Sequence, residues 1–319
     1  MKKYDVITSG SGLVDAFIYT GVKENKKEIC FPSGTKIKVE NVMFSVGGGG
    51  INTAKTFAKL GLKTGFLGKV GEGYNSQIIL RELKKNSVDF LGVKTKKEHA
   101  GYSFVLETNK KHRTILTYKA ASDNLKFREI NLNKLKTKWF HLTSTSGETF
   151  KTQLKLIDYA RENKIKVSFN PSSYQVQGGL NQIRHLIKGS FIITMNKEEA
   201  EELVGKKNHT YKKLHELGPE IVVITNGENP GIVYDGKNLY NFYPNKINAT
   251  ECTGAGDVFA STFVATYSKT NDIIKSIKVA MANSESVVVS KGANMGVLSW
   301  NEIENKLKKK TFRVVKVKE

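Results

Sequence analysis

Short apolar runs of strand length alternate with segments whose apolar residues recur at helical spacing, and this order holds along most of the chain. Strand character falls at Tyr4 to Thr8, Gly65 to Leu67, Trp139 to Leu142, Val167 to Asn170, Phe191 to Thr194 and Ile221 to Thr225. Helical spacing runs from Asn52 to Leu60, Asn75 to Lys85, Phe150 to Glu162, Leu180 to Ile187, Lys197 to Val204, Gly254 to Tyr267 and Asp272 to Lys291. Such alternation predicts an α/β fold, a mostly parallel sheet covered by helices on both faces. Two stretches depart from it. From Lys36 to Val46 and from Tyr102 to Lys119 apolar and polar residues alternate, as in strands with one wet face, and the second stretch reads as a hairpin turning at Asn109-Lys110. With five prolines and no low-complexity linker, residues 1–319 are expected to form one domain, its small β-sheet lid built from segments near 16–46 and 100–120.

Composition narrows the possible roles. Cys30 and Cys252 lie far apart and outside any CxxC pairing, so neither a disulfide framework nor a structural zinc site is expected, and a reducing cytoplasm fits best. The opening Met1-Lys2-Lys3-Tyr4-Asp5 has no signal-type apolar core and no long apolar stretch follows, so secretion and membrane spanning are not expected. The net charge of +21 raises the question of a nucleic-acid partner. Its 51 basic residues include only 6 arginines, and the lysines are spread along the chain. Groove readers concentrate arginine at base edges. A solvated lysine surface whose field favours anionic nucleotides is expected instead.

Two small-residue turns carry the chemistry. In Thr253-Gly254-Ala255-Gly256-Asp257 a turn runs into an apolar helix. The first N–H groups of a helix lack internal acceptors and sit at the positive end of its dipole, so Gly254, Ala255 and Gly256 form a phosphate cradle. Asp257, in the first turn, is placed to take a proton from an attacking hydroxyl. In Gly47-Gly48-Gly49-Gly50-Ile51-Asn52 a second glycine turn opens a helix, and Asn52 can both donate to and accept from sugar hydroxyls. Gly10-Ser11-Gly12 is expected to open a loop that places Asp15 just beyond the first strand.

With these two turns in this order, the chain resembles the ribokinase-like (PfkB) carbohydrate kinases from Tyr4 to about Val297. The resemblance implies a three-layer α/β/α domain with a β-sheet lid, transferring the terminal phosphate of ATP to a hydroxyl of a sugar-like molecule. It implies that Asp257 is the general base, and that Asp15, Gly48, Gly49 and Asn52 bind the acceptor. Asn196-Lys197-Glu198-Glu199 matches the family's Asn-x-x-Glu element, in which Glu199 helps to hold Mg²⁺ through water, while Asn170, Asn196, Thr225, Gly227 and Asn283 are placed toward ATP. Thr225-Asn226-Gly227-Glu228-Asn229-Pro230-Gly231 departs from the family's Thr-x-Gly-x-x-Gly loop by one extra residue, which weakens the assignment of Gly231. Glu251 and Cys252 stand where an aspartate and a threonine are usual. That departure leaves open a monovalent-cation (K⁺) site formed with the loop from Ser290 to Asn294. Exposed lid edges imply a homodimer through the lid. A nucleoside or a sugar phosphate remains an alternative acceptor, and a silent sugar- or nucleic-acid-binding regulator is the alternative of another class.

Overall fold

The structure, a computed structural model, describes residues 3–23, 28–108, 112–206, 209–247, 254–290 and 296–318. The strands are β1 (Tyr4–Ser9), β2 (Leu13–Tyr19), β3 (Asn41–Gly47), β4 (Thr64–Leu67), β5 (Lys69–Glu72), β6 (Asp89–Phe90), β7 (Val93–His99), β8 (Gly101–Glu107), β9 (Arg113–Tyr118), β10 (Thr137–Thr143), β11 (Lys166–Asn170), β12 (Ile192–Asn196), β13 (Ile221–Thr225), β14 (Gly231–Tyr234), β15 (Asn238–Tyr243) and β16 (Arg313–Lys318). The helices are α1 (Gly49–Lys59), α2 (Tyr74–Lys85), α3 (Gly147–Glu162), α4 (Ser173–Gln177), α5 (Leu180–Lys188), α6 (Lys197–Val204), α7 (Thr210–Glu216), α8 (Ala255–Thr270), α9 (Ile273–Val288) and α10 (Trp300–Lys309).

Among the described residues, one ten-stranded sheet runs β16-β15-β14-β13-β12-β11-β10-β1-β4-β6. It is parallel from β6 to β13 and antiparallel from β13 to β16. Consecutive residues of its central strands enter opposite cores, as the strand pleat requires. Ile7, Phe140, Ile193 and Val222 pack with α3, α5, α6 and α7, whereas Val6, Trp139, Ile192 and Val223 pack with α1, α8, α9 and α10. These strands are apolar on both sides because helices cover both sides. Within the antiparallel edge, the β14–β15 hairpin was not expected from the sequence. It turns at Asp235, whose Oδ1 accepts the Lys237 and Asn238 N–H groups at 2.9 and 2.6 Å, so one short carboxylate closes a hairpin that hydrophobic period alone does not reveal.

The lid is a four-stranded sheet in the order β3-β2-β8-β9. Its central pair, β2 and β8, is parallel, and both outer pairs are antiparallel. Asp15 therefore lies within a lid strand, in register with Ser45 and Ser103, rather than in the expected loop. Val14, Val46 and Tyr102, on the opposite face of these strands, pack against Ile51 and Ile79 of α1 and α2. The Asp15 face is thus the one turned toward the ends of the central strands.

The start of α1 sits directly on the end of β1. Gly50 donates its N–H to the Ser11 carbonyl at 3.0 Å, and its carbonyl accepts the buried Thr8 hydroxyl at 2.9 Å. A Cβ at Gly50 would lie 2.7 Å from the Gly10 carbonyl carbon, a backbone atom that cannot move aside. Gly50→Ala is expected to destabilise the fold by about 1–3 kcal/mol through overpacking, read as a lower urea midpoint. An unchanged midpoint would show that this approach is not tight.

Candidate active site

The two glycine turns meet at one place. Asn52 and Asp257, 205 residues apart, are joined by a hydrogen bond in which Asn52 Nδ2 donates to Asp257 Oδ2 at 3.0 Å. Gly48, the residue before α1, has φ of 90°, and Gly254, the residue before α8, has φ of 82°. Glycine takes this left-handed geometry without strain, so each helix can begin abruptly at the site. A Cβ on Gly49 would fall 2.8 Å from Thr143 Oγ1 and 3.6 Å from Asp257 Oδ1, so the turn, the end of β10 and the carboxylate share one small space. The Asp15 carboxylate lies against Gly47. Two buried polar atoms here have no protein partner among the described residues, Asn52 Oδ1 and Thr143 Oγ1. Buried polar groups are ordinarily paired, and a ligand hydroxyl is a chemically apt partner for both.

Further along the sheet, other strand ends carry polar residues. Asn170 is in register with Thr143, and Thr225 with Asn196. Asn170 donates Nδ2 to the Thr194 carbonyl at 2.8 Å. Asn196 caps α6, its Oδ1 accepting the Glu199 N–H at 2.7 Å while Glu199 Oε2 accepts the Asn196 N–H at 3.1 Å. Ser173 donates to the other oxygen of Glu199 at 3.2 Å. Open space surrounds the Cβ positions of Gly227 and Gly256, as close backbone approach by a ligand requires. In open α/β sheets ligands bind outside the carboxyl ends of the strands, and this row lies there.

The pfkB family carbohydrate kinase pattern matches residues 14–300. The chain belongs to this family. It is 27% identical over 278 residues to a ribokinase from Lactococcus lactis, covering 86% of this chain and 90% of that one. It is 25% identical over 299 residues to an ATP-dependent 6-phosphofructokinase from Thermoanaerobacterium thermosaccharolyticum, covering 89% and 87%. A structure from E. coli assigned as ribokinase II, in complex with ATP and Mg²⁺, shares the fold at a TM-score of 0.82, with 19% identity and coverage of 97% and 100%.

The expected site residues of this pfkB-family chain divide into three groups. Asp15, Gly48, Gly49, Asn52, Gly254, Ala255, Gly256 and Asp257 lie on or next to the two glycine turns joined by the Asn52–Asp257 hydrogen bond, and Asn170, Asn196, Glu199, Thr225 and Gly227 lie at or just beyond the ends of β11, β12 and β13. Asn283 differs from its expected place at the nucleotide. It is fully buried, its Nδ2 donating to Thr262 at 2.9 Å and its Oδ1 accepting the Leu298 N–H at 2.8 Å, so both ends of the amide fasten α9 to α8 and to the chain before α10. Gly231 begins β14 with the Phe242 ring packed where its side chain would stand, a fold role in keeping with the extra loop residue. Glu251, Cys252, Thr253 and residues 291–294, which carry the cation expectation, lie outside the described residues. Thr143 was missed because the apolar run appeared to end at Leu142. Its signal is a polar residue closing a buried strand just before Ser144-Thr145-Ser146-Gly147.

Burial sets the electrostatics. It pushes the Asp257 carboxyl above the ordinary carboxylate range, against the downward pull of the Asn52 amide. Burial likewise raises Glu199, against hydrogen bonds from the Asn196 backbone and Ser173. Glu199 keeps lone pairs beyond these two bonds. Among the described residues no group of three or more His, Cys, Asp and Glu side chains lies together. A cation here would take most ligands from phosphate and water, which is the habit of Mg²⁺. A carboxyl whose folded-state pKa is raised contributes stability below its unfolded value, and loses it as pH rises through the folded value. Ionised Asp257 is therefore a cost at neutral pH. Asp257→Asn is expected to melt at a higher temperature than wild type at pH 8, with the gap closing at pH 4. Equal melting temperatures at pH 8 would remove the burial argument.

Proposed function

We propose that this chain transfers the γ-phosphoryl group of ATP to a hydroxyl of a sugar-like acceptor, with Asp257 as the general base. The observation that carries this reading is the Asn52–Asp257 hydrogen bond, which sets a partly buried carboxylate against a glycine turn with unpaired polar atoms at hand. The acceptor lies between the Asp15 face of the lid and the strand ends. Its hydroxyls pair with Asp15, Asn52 Oδ1 and Thr143, and one of them gives its proton to Asp257 as it attacks. The N–H groups of Gly254 to Gly256 steady the charge on the transferred group, because the start of α8 points its unpaired donors there. Asn170, Asn196, Thr225 and Gly227 line the path of the remaining phosphates. Glu199 would hold Mg²⁺ through water, and that ion supplies neutralisation of phosphate charge. The names of the relatives fit a sugar or sugar-phosphate acceptor.

The lid and the strand-end sites form a single catalytic unit in this reading. A monovalent cation beside Glu251 completes it on the resemblance alone, and the unpaired, exposed Cys30 fits a reducing cytoplasm. Beyond the rows packed on α2, the lid face opposite Asp15 exposes Phe44, Phe104, Leu116 and Tyr118. Phe44, Ala16, Phe104 and Leu116 stand in one cross-strand row, an apolar patch suited to a second copy of the same sheet.

Three outcomes are expected. Asp257→Asn should lower kcat by about 10²–10⁴-fold, the range for loss of a general base, with little change in KM. The wild-type acid limb of kcat/KM should lie above pH of about 4, the ordinary aspartate value. Undiminished turnover in Asp257→Asn would refute the assigned role. Phe44→Lys should convert a dimer to a monomer in sedimentation experiments, and a wild-type monomer would dismiss the lid interface.

A further inference from the structure

The proposed mechanism uses the lid only for acceptor hydroxyls, yet this side of the lid also carries cations: Arg113, which is paired with Glu107 at 2.9 Å, and Lys119 at the end of β9. Register places Asp15 in a row with Ser45, Ser103 and Thr117. Lys119 follows the last residue of β9, where the backbone leaves the strand, so its contacts rather than the strand pleat show where it lies. Its backbone carbonyl lies beside Gly101, which is paired with Leu13, and Leu13 in turn with Gly47. Two of the three neighbours in that row are glycines and present no side chain to fill the space before the lysine.

The direction of Lys119 has an independent witness. Its Nζ lies 5.2 Å from the centre of the Tyr174 ring, and Tyr174 belongs to α4, just after the Asn170 strand end. The lysine therefore reaches from the lid across to the body at the level of the strand ends. Ser144 and Ser172, joined through their hydroxyls at 2.5 Å, connect the end of the Thr143 strand to the turn before Tyr174. No carboxylate lies within ion-pair distance of Lys119 among the described residues. Asp123 is the acidic group whose charge acts on it. The Asp123 carboxylate already accepts the Ser146 hydroxyl at 2.6 Å and the Ser146 N–H at 3.2 Å. Burial lowers the lysine's pKa, so the cation is held partly out of water without full compensation. Many lysines of this chain are solvated, whereas this one is set between lid and body.

We propose that Lys119 binds an anionic group on the acceptor, so that the preferred substrate is a sugar bearing a carboxylate or a phosphate as well as the hydroxyl that is phosphorylated. The inference rests on the acceptor lying beneath the Asp15 face of the lid. The hydroxyls of such a substrate face Asp15 and Thr143, and its anion approaches the ammonium group, which desolvation makes a stronger partner than it would be in water.

The test compares wild type, Lys119→Met and Lys119→Arg with three acceptor series: ribose and fructose, gluconate and galactonate, and ribose 5-phosphate and fructose 6-phosphate. Turnover is followed by ADP release, and binding separately by calorimetry in the presence of a non-hydrolysable ATP analogue. Wild type is expected to favour one anionic series over the neutral sugars by tenfold or more in kcat/KM, and the series favoured identifies the anion as carboxylate or phosphate. Lys119→Met should collapse that ratio by at least tenfold, mainly through KM, and Lys119→Arg should restore most of it. A wild-type preference for neutral sugars overturns the inference and leaves the kinase reading standing. So does a Lys119→Met loss that is equal for neutral and anionic acceptors. Calorimetric binding of an anionic sugar that depends on Lys119, without any turnover, supports the inference and counts against the kinase reading. Absence of both binding and turnover for every anionic sugar also overturns it.

Discussion

The site depends on one close backbone approach, that of Gly10 and Gly50. No side chain intervenes between the end of the first strand and the start of α1, so the Ser11 carbonyl can take the Gly50 N–H and the Thr8 hydroxyl can take up the Gly50 carbonyl. With the helix start seated there, Asn52 is delivered to Asp257 from a distant part of the sequence. Thr143 closes the same space from β10. A larger residue at Gly10 or Gly50 would alter the fold, the acceptor turn and the contact to the carboxylate together.

From this seat the work divides along the sheet. In the proposed reading the glycine turn and lid serve the acceptor, the ends of β11, β12 and β13 serve the nucleotide, and the start of α8 lies between them. Asp257 stands at that junction under two opposed influences, burial that favours its neutral form and the Asn52 amide that favours its ionised form. A base for a hydroxyl must be ionised yet retain appetite for a proton, and the balance of these two influences serves both needs. If Asp257 is the base proposed above, the Asn52 amide tunes the group that the phosphoryl chemistry uses.

Much of this was legible in the sequence, for identifiable reasons. The Lys197–Val204 helix and the Ile221–Thr225 strand agree with their expected bounds because a capping Asn196 and a continuous apolar run mark their limits locally. The meeting of Asn52 and Asp257 was implied by the family resemblance that the two small-residue turns carry, not by local spacing. Other features depend on distant partners. Asp15 reads as a loop residue because Gly10-Ser11-Gly12 looks like a simple break, and only pairing with β3 and β8 makes its segment a strand. Asn283 is placed toward ATP by the resemblance alone, and its burial is decided by Thr262 and Leu298. The β14–β15 hairpin is short, and its turn is set by one carboxylate. No local period could have shown any of the three.

The parallel seam of the lid has a consequence for how the chain acquires its shape. Leu13 pairs with Gly101, and Tyr19 with Glu107, so the two middle strands come from segments separated by β3, α1, β4, β5, α2, β6 and β7. Joining them requires a large loop to close, whereas the outer lid pair of β8 and β9 is a local hairpin. The Asp15 surface needs β2 and β8 to pair across that long stretch, so its loop-closure cost is greater than that of the β8–β9 hairpin beside it.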